Sequence, residues 1–146
     1  GSVLTEGPAI LQYVADQNPE LRLAPPVGSR ERYQLQAWLN FISSELHKQY
    51  SPLFNPACTA EQRQAATAAL ERRYLWLADE LRDRTYLVGD RFTIADAYLF
   101  TVNGWGAFIG FELGRWPVIG EYQQRIAARP AVQAALRAEG LLKDVA

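Results

Sequence analysis

Ala97-Tyr98-Leu99-Phe100, with Val102, Trp105 and Phe108 after them, form a helical segment that is apolar on nearly every side. Such a helix has no face to give to water and belongs at the centre of a bundle. Thr93-Ile94-Ala95-Asp96 marks its start. In this pattern the threonine hydroxyl accepts from the Asp96 N–H, and the Asp96 carboxylate accepts from the Thr93 N–H. A carboxylate there also gains from the positive end of the helix. Thr93 and Asp96 are therefore read as a structural cap in preference to a catalytic acid. Gly104, Gly106 and Gly110 loosen the far end of the segment.

The segments around this centre carry helical periodicity. Ala66, Leu70, Tyr74, Leu77 and Leu81 mark the buried stripe of a helix opened by Thr59, with Gln62 completing a second capping-box pattern, and running to about Arg84. Its other face carries Glu71, Arg72, Asp79, Glu80 and Arg82, read as solvated surface. Leu35, Leu39, Ile42 and Leu46 give the core side of a long helix from Ser29 to Tyr50, which Ser51-Pro52 kinks or ends. A first helix follows Thr5 or Glu6, with Pro8 in its opening turn and Ile10, Tyr13 and Val14 as its apolar face; Asn18-Pro19 ends it. Pro19, Pro25, Pro26 and Gly28 make residues 19–28 a linker without a regular element, and a domain boundary. Residues 86–92 are a turn segment. Trp116-Pro117 opens a helix bearing Ile119, Tyr122 and Ile126; Arg129-Pro130 breaks it, and 131–138 form a short last helix. With no strand-period run and no internal repeat, the class is all-α, a bundle of about six helices.

A chain of 146 residues makes one domain of ordinary size. It can bury about two thirds of its unfolded surface without a metal or disulfide staple. Fifteen Lys and Arg against 16 Asp and Glu leave a net charge of −1, which points to neither nucleic acid nor a membrane surface. A single cysteine and a single histidine leave no disulfide framework and no set of zinc ligands. No apolar run approaches the roughly 18 residues of a membrane span, and no signal peptide is visible, so a reducing cytoplasm is the expected setting. The chain does not begin with Met. Val3-Leu4 reads as a strand end feeding the first helix, which suggests a sheet whose other strands precede residue 1.

The chemistry-bearing stretch is Ser44-Glu45-Leu46-His47-Lys48-Gln49-Tyr50, which contains the only histidine. At 100° per residue, Asn40, Ser44, His47 and Lys48 fall roughly opposite the core stripe of the long helix. Tyr33, Ala37 and Phe41 lie among them, so this helix is apolar on two sides. One side meets the core. The other meets a partner subunit, a missing domain or a ligand cleft. Trp105 and Phe108 can roof an apolar pocket or simply fill the bundle core. Cys58 precedes a helix start, where a thiol can acidify, but no histidine is near it in sequence.

Thr5-Glu6-Gly7-Pro8-Ala9-Ile10, the helix with Asn40, Ser44, His47 and Lys48, the Thr93-Ile94-Ala95-Asp96 box and Trp116-Pro117-Val118-Ile119 together resemble a glutathione S-transferase, most closely of the bacterial beta class. The resemblance covers essentially the whole chain. It implies that residues 1–18 are the remnant of a thioredoxin-like domain (strand end and last helix), 19–28 the linker, and 29–146 the all-helical C-terminal domain. Most of the thioredoxin-like domain, with its active-site cysteine, would then be missing, and Cys58 is not that cysteine.

By the same resemblance Glu6 and Gly7 hold the γ-glutamyl end of glutathione. Asn40, Ser44 and Glu45 reach glutathione from the second subunit of a homodimer. His47 and Lys48 lie near the sulfur, and Tyr50, Phe54, Trp105 and Phe108 line the pocket for a hydrophobic electrophile. Glutathione enters as co-substrate; no cofactor or metal is implied. The implied activity is glutathione conjugation, or glutathione-dependent thiol exchange, with this piece inactive alone. The competing reading is a non-catalytic binding or interaction scaffold.

Overall fold

The computed structural model describes residues 1–142 and is helical throughout its regular elements. In chain order these are α1 (Gly7–Asp16), a 3-10 turn (Pro19–Leu21), α2 (Arg30–Phe41), a π-helical turn (Ile42–His47), α3 (Lys48–Phe54), α4 (Ala60–Leu81), α5 (Ile94–Gly104), α6 (Gly106–Ile109), a second 3-10 turn (Leu113–Arg115), α7 (Pro117–Ala127) and α8 (Pro130–Ala138). The turn Ile42–His47 joins α2 and α3 into one rod, and α6 continues α5 after Trp105. That leaves six helical bodies among the described residues. The expected linker is not wholly irregular: Pro19 sits at the start of the 3-10 turn, where its missing N–H is harmless.

The core is built from the stripes named above. Leu35, Leu39, Ile42 and Leu46 on the rod, Leu70, Tyr74, Leu77 and Leu81 on α4, and Ile119, Tyr122 and Ile126 on α7 are all essentially inaccessible. α5 runs between them, with Ile94, Ala95, Leu99 and Val102 buried. Between these apolar layers lies one buried polar chain. The Tyr50 hydroxyl meets that of Tyr74 at 2.9 Å, and the Tyr74 hydroxyl donates to Asn103 Oδ1 at 2.9 Å. Asn103 Nδ2 donates to Gln123 Oε1 at 3.2 Å, and Gln123 Nε2 donates to the Phe100 carbonyl at 2.9 Å. It ties α3, α4, α5 and α7 together with its members paired, the condition under which buried polar groups stabilise. Burial pushes the Tyr50 phenol up to about 12 and the Tyr74 phenol well above its ordinary value.

Asp96 is wholly buried at the start of α5 and receives four hydrogen bonds. The Leu87 N–H donates to Oδ1 at 2.9 Å and the Tyr122 hydroxyl at 2.7 Å. The Thr93 N–H and hydroxyl donate to Oδ2 at 2.8 and 3.1 Å. The Thr93 hydroxyl in turn accepts from the Ala95 N–H at 3.3 Å. The cap therefore does more than close a helix: it fastens the 86–92 turn segment and α7 to α5.

One expectation is corrected. Pro52 does not end the long helix, which runs on through α3 to Phe54. Val3 and Leu4 are exposed and lie outside the regular elements of the described residues. The apolar face of α1 formed by Ile10, Tyr13 and Val14 turns away from this bundle, at 41%, 57% and 50% exposed. Its inner face is Ala15, with Leu11 packed on the core. α1 is apolar on two sides, and periodicity alone could not say which side met this bundle.

The inner side of α1 is held at several points. Gln36 Nε2 donates to Gln12 Oε1 at 3.0 Å. Arg32, almost fully buried, grips Asp16 with both terminal nitrogens at 2.8 and 2.7 Å and also donates to the Pro25 carbonyl at 3.2 Å. That fork, chiefly through its hydrogen bonds, holds the Asp16 carboxyl below the usual carboxylate range. The linker is pinned as well, since the Ile94 N–H donates to the Leu23 carbonyl at 2.9 Å.

Candidate functional site

The site is assembled where the start of α1, the π turn and α5 meet. Glu6 precedes α1 with φ 70° and ψ 116°, a backbone region that residues with a side chain rarely adopt. Strain of this kind, about 1–3 kcal/mol, survives where the surrounding structure imposes it, and it clusters at ligand sites. The Glu6 carbonyl accepts from the N–H groups of Ala9 and Ile10, both at 3.0 Å, so the twisted residue itself begins the helix. Gly7 follows, and a side-chain carbon placed on it would lie 3.9 Å from the Tyr98 hydroxyl. The first turn of α1 therefore rests against Tyr98 of α5.

Tyr98 links this turn to the histidine. Its hydroxyl lies 2.8 Å from His47 Nδ1. The His47 ring stands edge-on to Trp105, with centroids 4.5 Å apart and planes at 87°. Trp105 in turn meets Phe54 at 6.1 Å and Tyr50 at 5.8 Å, both near perpendicular. Glu6, Gly7, His47, Phe54 and Trp105 are thus drawn into one cluster from four separate segments. Loss of water around the imidazole holds the His47 pKa below its ordinary 6.5, and the neighbouring Lys48 charge adds to this. The ring is accordingly neutral near pH 7.

The expected single polar stripe is not observed. Asn40, Ser44 and Lys48 are exposed, but His47 turns inward onto α5. The cause is the π turn, whose wider hydrogen-bonded ring accommodates an extra residue and shifts the register that simple 100° counting assumes. Ser44 donates back to the Asn40 carbonyl at 2.9 Å, and Glu45 pairs with Arg73 of α4 at 2.5 Å. Tyr50 is fully buried, with its hydroxyl committed to Tyr74, so it backs the cluster and does not line an open pocket. Phe108 on α6 is 73% exposed and joins none of the ring contacts around Trp105. Thr93 and Asp96 belong to the cap, away from this cluster.

Sequence reasoning missed Tyr98. Tyr98 on α5 and Trp105 just after it are seven residues apart, a spacing that puts both on one helix face and was available as a signal. Two cavities lie elsewhere. One, of about 750 Å³, is lined by the linker and the turn before α5, including Arg22, Glu31 and Arg91. The other, of about 560 Å³, borders Cys58, Gln49 and Asn55. Neither includes His47, and chemistry, more than volume, distinguishes the His47 cluster. The described residues contain no group of three or more His, Cys, Asp or Glu side chains placed to hold a metal ion. No described helix is long and apolar enough to cross a membrane.

Residues 41–130 match the family described as glutathione S-transferase, C-terminal domain. Glutathione S-transferase GstA of Escherichia coli O157:H7 is 46% identical over 141 residues, covering 97% of this chain and 70% of that protein. The chain belongs to the glutathione S-transferases. Among solved structures, the ternary complex of BphK, a bacterial GST, superposes with a TM-score of 0.94 at 55% identity, covering 97% of this chain and 70% of that one. The bacterial beta class glutathione S-transferase of Sphingomonas chungbukensis superposes with a TM-score of 0.92 at 46% identity, covering 97% and 71%. This glutathione S-transferase is thus of the beta-class type, and its family is one of transferase enzymes.

Proposed function

We propose that this chain supplies the helical side of a site that conjugates glutathione to hydrophobic electrophiles. The observation that carries the reading is the convergence of Glu6 and Gly7 with His47 and Trp105 through Tyr98. In this reading the Gly7 N–H, at the positive end of α1, takes the α-carboxylate of the γ-glutamyl group, and the Glu6 carboxylate takes its amine. His47 and Lys48 flank the sulfur and favour its thiolate, the nucleophilic form. Trp105 and Phe54 wall the electrophile, with Phe108 at the rim. Asn40, Ser44 and Glu45 act on glutathione held by the other subunit of a homodimer. Thiol exchange would use the same thiolate against a disulfide.

The reading divides the chain into a thioredoxin-like portion to residue 18, a linker over 19–28 and the helical domain from 29 onward, and places the protein in the cytoplasm. It also expects the chain alone to show no conjugation. Glu6 and Gly7 grip only one end of the tripeptide, so its thiol is not held beside His47 and Lys48 and stays mostly protonated near pH 7, given a reference pKa of about 8.5.

Two measurements test this. Glutathione titrated into the labelled chain should shift the amide signals of Gly7 and the side-chain signals of His47. Shifts confined to the cavity near Arg22 and Arg91 would overturn the assignment. A chimera carrying the part of the E. coli relative that this chain does not cover should conjugate an aromatic electrophile and lose at least about tenfold in rate with His47→Ala, as expected when a group acting on the nucleophile is removed. An unchanged rate would remove His47 from the chemistry.

A further inference from the structure

Trp105 stands between two glycines that differ in what surrounds them. A side-chain carbon on Gly104, the last residue of α5, would meet nothing within 4 Å. Gly106 is buried, and a side-chain carbon there would lie 2.6 Å from the Phe111 carbonyl oxygen and 3.6 Å from the Tyr50 hydroxyl. The first of these is a collision with backbone, which no change of side-chain rotamer relieves. Glycine is the residue that permits such an approach. The Phe111 N–H donates to the Gly106 carbonyl at 2.9 Å, and Gly110, at φ 70°, turns the chain back between them. Residues 106–111 thus close into a tight loop directly after Trp105. The sequence gives Gly104 and Gly106 the same loosening role, whereas in the structure Gly106 admits a close contact and Gly104 does not.

The two sides of this contact are not equally free to yield. Phe111 is buried, with its ring 5.4 Å from Tyr74, 6.0 Å from Trp116 and 6.4 Å from Tyr50. Tyr50 is itself fully buried and tied to Tyr74 through its hydroxyl. Trp105 is only half-buried, and its neighbour Phe54 is half-exposed. A side chain at 106 would therefore displace the Trp105–Gly106 backbone while Phe111 stayed in place. We infer that Gly106 is a positioning residue: by leaving room for the Phe111 carbonyl it seats Trp105 on His47 and sets the gap between Trp105 and Phe54. The seat is the perpendicular ring contact at 4.5 Å, and the gap is spanned by centroids 6.1 Å apart. That the gap receives an electrophile rests on the function proposed above; the seat of Trp105 on His47 does not. In that setting a side chain at 106 shifts one wall of the pocket, and bulky electrophiles lose more than small ones.

The lone histidine makes the test direct, because the ring current of an indole 4.5 Å away displaces the imidazole proton resonances. In the chain without glutathione, at one fixed pH above the His47 midpoint, Gly106→Ala should move the carbon-bound ring-proton signals of His47. Gly104→Ala should leave them in place and should not lower the denaturant midpoint, since alanine is the better helix residue. Unmoved His47 signals in a folded Gly106→Ala chain, or equal movement in both variants, overturn the inference. Should Gly106→Ala fail to fold, Phe111→Leu takes its place. Loss of the ring that anchors the loop should move the same signals, although the ring contacts of Phe111 are with Tyr50, Tyr74 and Trp116. Unmoved signals there overturn the inference equally. In the chimera described above, Gly106→Ala should raise the preference in kcat/KM for a one-ring over a two-ring aryl halide by about tenfold, the weight of roughly one methylene in an apolar pocket. An unchanged preference beside moved His47 signals overturns the role in selectivity and leaves the seat of Trp105 standing. A parent chimera inactive on both halides would sink the proposed function and not that seat, so the two readings fail separately.

Discussion

Asp96 shows how far a local motif can carry structural weight. Asp96→Ala strands four donors, from Leu87, Thr93 (two) and Tyr122, inside the bundle. A lost cap costs about 0.5–2 kcal/mol, and a buried donor left unpaired about 1–3 kcal/mol. A loss of about 3 kcal/mol or more is expected, read as a lower denaturant midpoint with unchanged helical signal before the transition; an unchanged midpoint would remove the role. His47 makes a milder case, because its substitution removes one half-buried hydrogen bond to Tyr98 and an edge contact with Trp105, at an expected cost of about 1 kcal/mol. Its folded pKa lies below the ordinary 6.5, chiefly through burial and then through Lys48. The unfolded chain therefore binds more protons between the folded midpoint and 6.5. In that window stability rises with pH, and acidification through the folded midpoint removes it. NMR titration of the single imidazole should give a midpoint below 6.5, raised part of the way back by Lys48→Ala. A midpoint at or above 6.5 would contradict the burial seen here.

The rod from Arg30 to Phe54 is the element least visible in the sequence. The α4 stripe was legible because five buried positions repeat over 22 residues with a capping box at the start. The π turn was not, because Ile42–His47 contains nothing that a plain α-helix would refuse. That one unseen turn accounts for the misplaced stripe. It also yields a prediction. Deleting Ser44 should take out the extra residue that the turn accommodates, so that the rod runs as a regular α-helix with α3 still in register against the core. Leu35, Leu39, Tyr50 and Leu53 should then all stay buried. The cost should stay below that of exposing one core side chain, about 1.5–3 kcal/mol. A deletion variant that loses several kcal/mol would show that the turn does not absorb one residue.

At the scale of the whole molecule, the buried stripes, the six helical bodies and both capping boxes could be read in advance. The outward-facing apolar surface could be read only in part: the second side of the long helix was visible, but Leu75 and Trp76 lie on the face of α4 read as solvated. Ile10, Tyr13 and Val14 form one such face, and Tyr33, Leu75 and Trp76 are likewise exposed on α2 and α4. Phe41 and Trp76 rings lie 4.5 Å apart, so the second patch is continuous across the two helices. The chain should self-associate at high micromolar concentration, and Trp76→Glu should shift sedimentation toward the monomer. A monomer at every concentration would leave this patch without a role in assembly.

The mounting of α1 has a consequence for how proteins of this design can diverge. Gln12–Gln36, the Asp16–Arg32 fork and the seat of Gly7 against Tyr98 fix α1 by contacts, not by the length of chain that joins it to α2. The separation between Glu6 and His47 is therefore independent of the connector. The tip at Val27, 80% exposed, followed by Gly28 at φ 82°, can gain or lose residues without retuning the site. Lineages can rewrite the tip of the connector, while three small contacts preserve the alignment of α1 against the bundle.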